Sequence, residues 1–355
     1  VQKKRDVTTA IASLRASDMK GQPVTSMAEA MVGKMPGVQV SQSTGAPGSS
    51  LQIKVRGTGT ITAGTSPLYV VDGVPLAQEQ LNTFNMNDVE SIEVLKDASS
   101  AAIYGSRGSN GVVLITTKRG QEGRATVSYN GYYGWQTVSK KIDMLNAYEY
   151  ADLVNDARNN TYTDKMESIN RKLIAQNKNP LSFDISDSNA IRLQNTSNDY
   201  NTIVPVEILP YLRGEKGLVD TDWQDEIFQT GFITNNNISI TGASAKHSFY
   251  LGAGYAYEQG NIKKEKYSKI TLNVSNDYKV TDNFKVGFQF NGARMLPADT
   301  KSVATALRAA PVAHVFNEEY GLYTTLPGFQ KAQMNNPMVD VELKANTTKA
   351  ENYRT

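Results

Sequence analysis

Between Ala125 and Trp135 the chain alternates. Ala125, Val127, Tyr129, Tyr133 and Trp135 fall on one face of an extended strand, and Thr126, Ser128 and Asn130 on the other. The same period-two pattern returns in "HSFYLGAGYAYE" with Phe249, Leu251, Ala253, Tyr255 and Tyr257, and in "KITLNVSNDYKV" with Ile270, Leu272, Val274, Tyr278 and Val280. It is cleanest in "FKVGFQFNG", where Phe284, Val286, Phe288 and Phe290 alternate with Lys285, Gly287, Gln289 and Asn291. With the shorter "NNNISITG" this predicts about five complete strands, and "ENYRT" starts a sixth.

Before Gly120 the pattern is different. "VVLITT", from Val112, is a continuous apolar run of the kind buried on both faces. Ahead of it, "SMAEAMVGKMPG" places Ala28, Met31, Val32 and Met35 at helical spacing, with a cap near Thr25 and a stop at Pro36 and Gly37. "LQIKVRG" alternates, "PLYVVDGVPL" is two short apolar runs about an Asp72-Gly73 turn, and "SIEVLKDASSAAIYG" reads as a strand, an Asp97 N-cap, a helical turn and a Gly105 stop. Residues 1–120 therefore form a compact α+β domain, and residues 121–355 an antiparallel array of strands joined to it through "KRGQEG".

The connections between alternating strands come in two lengths. "GASAK" and "TDN" are tight turns, whereas the segments from about Val138 to Ile233 and from about Pro297 to Lys349 far exceed ordinary loops and carry helical pieces such as "NAYEYADLVNDAR" and "SVATALRAA". Short turns at one end and elaborate loops at the other mark a transmembrane β-barrel of the outer-membrane kind. A soluble sandwich has the strands but no reason to sort its loops. Five or six strands are fewer than the roughly eight that close the smallest such barrel, and open sheet edges do not sit in lipid. The chain reads as the N-terminal part of a larger barrel.

Composition narrows this picture little. No stretch approaches the roughly 18 consecutive apolar residues of a membrane helix, while the mean hydropathy of -0.42 suits alternating barrel strands. A formal charge of +2, from 37 basic and 35 acidic residues, gives no ground for a nucleic-acid partner. The absence of cysteine excludes disulfides and thiolate metal sites. Among candidate chemistry, "VRGTGTIT" offers Gly57 and Gly59 without the third glycine of a dinucleotide turn, and "GSRGSNG" is not a nucleophile elbow. His247 and His314 are the sole histidines and have no partner close in sequence. No catalytic group, metal site or cofactor is expected, and the chain is not read as an enzyme.

"PLYVVDGVP" and "VESIEVLKDASSAAIYGSRGSNGVVLITTKRG", with "IKVRGTGT" ahead of them, resemble the plug domain of the SusC/RagA family of TonB-dependent outer-membrane transporters. "DWQDEIFQTGFITNNNISITGASAKHSFYLGAGYAYEQG" resembles the family's early barrel strands. The resemblance implies a plug inside a roughly 22-stranded barrel, embedded in outer-membrane lipid of a bacterial cell. It implies import of a glycan or peptide, driven through TonB by the inner-membrane proton gradient and gated by plug movement, with a SusD-like surface lipoprotein as lid. The segment that TonB grips would lie ahead of Val1, and most of the barrel beyond Thr355. A surface receptor or adhesin that binds without importing is the alternative. Plug residues expected to matter for structure or gating are Arg56, Gly57, Asp72, Gly73, Glu93, Lys96, Asp97, Tyr104, Gly105, Arg107 and Gly111. Of these, Arg56, Glu93, Lys96 and Arg107 are candidates for charge pairs, and Asp72, Gly73, Asp97, Gly105 and Gly111 for turns and caps.

Overall fold

The computed structural model describes residues 11–19, 30–42, 45–49, 51–55, 66–96, 101–120, 123–298, 303–330, 333–343 and 350–354. They fall into two compact units: Val1–Thr137, Thr230–Thr300 and Ala345–Thr355 form the first, Val138–Gln229 and Lys301–Lys344 the second. Arg56, Gly57 and Asp97, with the N-terminal part of the helix expected from Thr25, lie outside the described residues.

In the first unit the small domain comprises β1 (Ile11–Arg15), β2 (Val38–Gln42), β3 (Leu51–Val55), β4 (Leu68–Val71), β5 (Val74–Leu76), β6 (Val89–Leu95) and β7 (Val112–Thr117). Five of them make a mixed sheet in the order β1-β6-β7-β4-β5, with β7 parallel to β4 and antiparallel to β6, and β2 and β3 form a separate hairpin. The apolar runs are buried on both faces, as their lack of alternation requires. Tyr69, Val71, Ile92, Val94, Val113 and Ile115 enter one core with Met31, Ile53 and Val55; Leu68, Val70, Leu95 and Val112 enter another with Ala101. The β4–β5 turn is Asp72-Gly73, with φ of 48° and 86°, the two positive values a type I′ hairpin demands. The helical turn at Met31 ends sooner than Pro36. Gly33 already has φ 69°, so Val32 falls on the exposed side rather than in the helical stripe.

The larger sheet contains β8 (Gly123–Gln136), β9 (Gly231–Ala243), β10 (His247–Gln259), β11 (Lys266–Thr281) and β12 (Phe284–Leu296). After β13 (Phe316–Asn317) and β14 (Leu322–Tyr323), a hairpin of the second unit, β15 (Ala350–Arg354) completes it. The order is β15-β12-β11-β10-β9-β8, every pair antiparallel. Residues 244–246 and 282–283 turn the chain at one end. Residues 137–230 and 297–349 connect strands at the other end, together with a short 260–265 connection that breaks the expected strict alternation of lengths.

This wall is inverted relative to a soluble sheet. Its apolar face is the exposed one: Val127, Tyr129, Trp135, Ile270, Phe284, Val286 and Phe288 are each more than half exposed. Its polar face is buried on β9 and β11, with Asn235, Asn237, Lys269, Thr271, Asn273 and Ser275 all at 8% exposure or less, while Thr126, Ser128 and Asn130 on the outer strand β8 are exposed. Only a lipid-facing sheet gains from that arrangement, because a sandwich core needs its rings inside. Aromatic clusters flank the band. Trp135 packs edge-on to Tyr133 and Phe232 at 6.0 Å near the long connections, and His247 stacks on Phe249 at 5.7 Å near the tight turns.

The second unit is a folded body. Its main element is a 29-residue helix, Ala147–Ala175, opened by a capping box in which Asn146 accepts from the Glu149 N–H and Glu149 from that of Asn146. Ala147 and Ala151 pack with Ile208 and Tyr211, and Tyr148 and Val154 add to the edge of this core while Leu153 stays exposed. A buried arginine ties the loops. Arg192 donates to the carbonyls of Asp187, Ile185 and Thr202 and to Asn159 Oδ1, and lies 4.9 Å over the Tyr162 ring. In the 316–329 stretch Phe316 and Tyr320 are exposed, and Phe329 packs against the helix core.

Candidate functional site

The buried polar face of the wall is where the small domain seats itself, and β11 carries most of that seam. A strand sends alternate side chains to one face, so the odd residues of β11 look inward in a ladder. Tyr267 lies over Gly48, where a Cβ would come within 2.3 Å of its ring. Lys269 Nζ donates to the carbonyls of Asn82 and Phe84, both at 3.2 Å. Thr271 Oγ1 accepts from Asn85 Nδ2 at 3.3 Å, and Asp277 pairs with Arg119 at 3.1 Å. The neighbouring strands add to it. Asn237 on β9 accepts from the same Asn85 amide, Asn130 on β8 donates to Asn87 Oδ1 at 3.1 Å, and Gln289 on β12 donates to Asp72 Oδ2 at 2.6 Å.

Two small-domain side chains go deepest. Asn85 caps the 3-10 turn Met86–Asp88, its oxygen accepting from the Asn87 N–H at 3.0 Å, which leaves its amide free to reach the wall. Asp88 accepts from the Tyr250 hydroxyl at 2.6 Å and is 5% exposed. Burial pushes its carboxyl above the usual carboxylate range, against the opposing pull of the Tyr250 hydroxyl, the Lys118 ammonium, the Asn273 amide and Lys269. Strand β10 makes room for both residues by omitting side chains. A Cβ on Gly252 would stand 2.4 Å from Asp88 Oδ1, and one on Gly254 2.3 Å from Asn85 Nδ2.

The residues singled out from sequence divide. Asp72 reaches the seam: besides Gln289 it accepts from the Thr117 N–H at 3.0 Å and hydroxyl at 2.7 Å, so the hairpin turn is also a wall contact. Lys96 serves inside the small domain, its ammonium donating to the Pro36 carbonyl rather than to a carboxylate. Among the described residues, Glu93 and Arg107 form no ion pair. Tyr104 packs against the Leu68 and Val112 core; Gly105 kinks its 3-10 turn at φ 61°; Gly111, at φ 93°, passes Val55 closely. Asn85, Asp88, Tyr250, Lys269 and the Gly252/Gly254 pair were missed. The one signal for them was that Thr126, Ser128, Asn130 and Gln289 share the face opposite the rings, which marks an inward side without saying what it meets.

The arrangement holds the small domain against the wall through polar side chains. Among the described residues no three carboxylate, histidine or cysteine groups gather as metal ligands, and no helix is long and apolar enough to cross a membrane. His247 is taken up by Asn276 at 2.9 Å and the Phe249 ring.

Comparison with known proteins agrees with this geometry. The family model described as TonB-dependent Receptor Plug Domain matches residues 3–112. The chain is 30% identical to TonB-dependent receptor P26 of Formosa agariphila over 99% of its own length and 32% of that protein. It is 29% identical to TonB-dependent receptor SusC of Bacteroides thetaiotaomicron over 89% of its length and 28% of SusC. It also superposes on the RagAB peptide importer in its closed-closed state with a TM-score of 0.70 at 24% identity, covering 93% of this chain and 36% of that one. The chain thus spans about a third of the length of the relatives it matches. With the plug-family match and these relatives beside the inverted antiparallel wall, the chain belongs to the TonB-dependent receptors of the outer membrane, of the SusC/RagA kind, as a plug domain followed by antiparallel barrel strands.

Proposed function

We propose that this stretch is the gate and first wall of an importer that takes up an oligosaccharide or peptide across the outer membrane, energised by TonB. The plug runs to about Gly120, and the strands after it begin the barrel. The observation that supports this reading is the seam itself. The plug meets the wall through scattered hydrogen bonds at Asn85, Asp88, Asp72 and Lys269. Each is worth about 0.5–1.5 kcal/mol net, rising to about 3 where a charge is involved, because water competes for the same groups. Such an interface is stable at rest and can be exchanged for water when the plug is pulled. Asp72 contributes to the hold from the plug side, and Lys96, Gly105 and Gly111 keep the plug's own shape.

The long connections carry the partner surface. Exposed Phe316, Tyr320 and Leu322 in a folded body are covered economically by a second protein, and a SusD-like surface lipoprotein acting as lid is the reading that fits this family. RagAB, a peptide importer by its description, is one of the structural likenesses, which favours peptide or glycan over a metal chelate as cargo.

A plug locked to the wall tests the gate. This chain has no cysteine of its own, so Asn85→Cys with Asn237→Cys is introduced in a full-length protein freed of any other cysteine. Oxidised, it should abolish TonB-dependent uptake and leave ligand binding intact, with uptake restored by reductant. Uptake that persists in the locked protein would show that the plug is not the gate.

A further inference from the structure

Between the Leu76–Asp88 stretch of the plug and the inward faces of β11 and β12 lies a cavity of about 60 Å³. Its walls are polar where they face each other: Gln80, Asn85 and Asp88 on the plug, Thr271, Asn273 and Asn291 on the barrel. Asn273 is 2% exposed, and its amide lies close enough to Asp88 to favour the ionised carboxyl. Yet neither its Nδ2 nor its Oδ1 meets hydrogen-bond geometry with any described group. Leaving a buried amide wholly unsatisfied costs about 1–3 kcal/mol for each unpaired group. A strand position that tolerated that cost for nothing would be better filled by an apolar residue.

The geometry points to a permanent water site in the seam, anchored on Asn273 and Asp88. A water needs roughly 10–15 Å³ of such space and two to four polar partners, so this cavity holds about four and supplies the partners from both bodies. Water bridging Asn273 to Asp88, Asn291 and Thr271 satisfies the amide and hydrates a carboxyl group that is otherwise deep in protein. The site also sits beside two buried plug contacts, Asn85 and Asp88, so solvent is at hand wherever those bonds open. The assignment does not depend on the cargo or on energy coupling, and stands or falls separately from the transport reading.

The test is a structure of the full-length protein at a resolution that shows ordered water, with Asn273→Leu beside it. Water peaks within hydrogen-bond distance of both Asn273 polar atoms are expected in the parent, and their loss in the variant. Leucine is near in volume and asks for no partner. Hydrogen exchange of the β6 and β7 amides should therefore stay within about twofold of the parent or slow. A parent cavity without water peaks around an ordered Asn273 would overturn the assignment. So would exchange accelerated tenfold or more in Asn273→Leu, since that would mean a lost bond to the protein itself.

Discussion

Placing a methyl group at Gly252 should loosen the plug from the wall. The β10 backbone at this position is fixed between Ser239 on β9 and Asn273 on β11, so the Cβ cannot retreat. It would stand 2.4 Å from Asp88 Oδ1, against about 3.4 Å for an ordinary contact, so the carboxylate must withdraw by about 1 Å. Withdrawal stretches the 2.6 Å bond from Tyr250 to about 3.6 Å, beyond hydrogen-bond range. Losing a hydrogen bond at a site only 5% exposed costs about 1–3 kcal/mol. That is about a 5- to 150-fold increase in the undocked population. Exchange of the β6 and β7 amides in full-length Gly252→Ala reports it directly. The control is the same substitution in an Asp88→Ala background, where the carboxyl oxygens are gone, the 3.0 Å approach to the Tyr250 ring remains, and the extra methyl should cost clearly less than in the parent. Equal penalties in both backgrounds, or none in the first, would refute the notch as the reason for glycine here.

Other consequences are open to measurement. Leu272→Arg puts a cation at the middle row of the exposed face and should cost about 2–4 kcal/mol of folding in lipid, whereas Tyr278→Arg near the turn end should cost under about 1; urea titration in vesicles separates them. Because the docked Asp88 carboxyl is raised above its ordinary range by burial, docking is strongest at pH below the usual carboxylate value. It weakens as pH rises through the raised one, so a calorimetric melt should show the plug transition falling with pH, and Asp88→Asn should flatten that slope. Arg192→Lys keeps the charge but cannot reach the carbonyls of Asp187, Ile185 and Thr202 together; about 3 kcal/mol of local stability should go, read as faster exchange in the 185–202 loop with the β8–β12 ladder unchanged.

How much of this was legible in sequence follows from what each residue had to satisfy. Phe284, Val286 and Phe288 share one exposed apolar face, so their alternation is strict and the strand is read at once. Val113 and Ile115 on one face of β7 and Val112 on the other are all core, so the run is continuous and reads as buried. The seam offers no such regularity. Asn85 and Asp88 stand in "NTFNMND", a stretch with the composition of a solvated loop, and only the wall arriving from residues 235–291 shows that they are buried. Gly252 and Gly254 look like ordinary weak strand positions until the side chains that fill their places are known. Arg192 is hidden for the same reason, since a lone arginine in a polar loop gives no sign of the carbonyls that will surround it.

The notch in β10 also decides what can be exchanged between relatives. A plug is contiguous in sequence and invites transplantation, but Asn85 and Asp88 fit only a β10 that is bare at Gly252 and Gly254 and offers Tyr250, beside a β9 that offers Asn237. A graft that carries the plug alone meets a foreign β10, and a bulkier residue at either glycine would evict it. The heritable cassette is therefore longer than the domain. It runs through β11, and hybrids joined after Thr281 should assemble where hybrids joined at Gly120 leak.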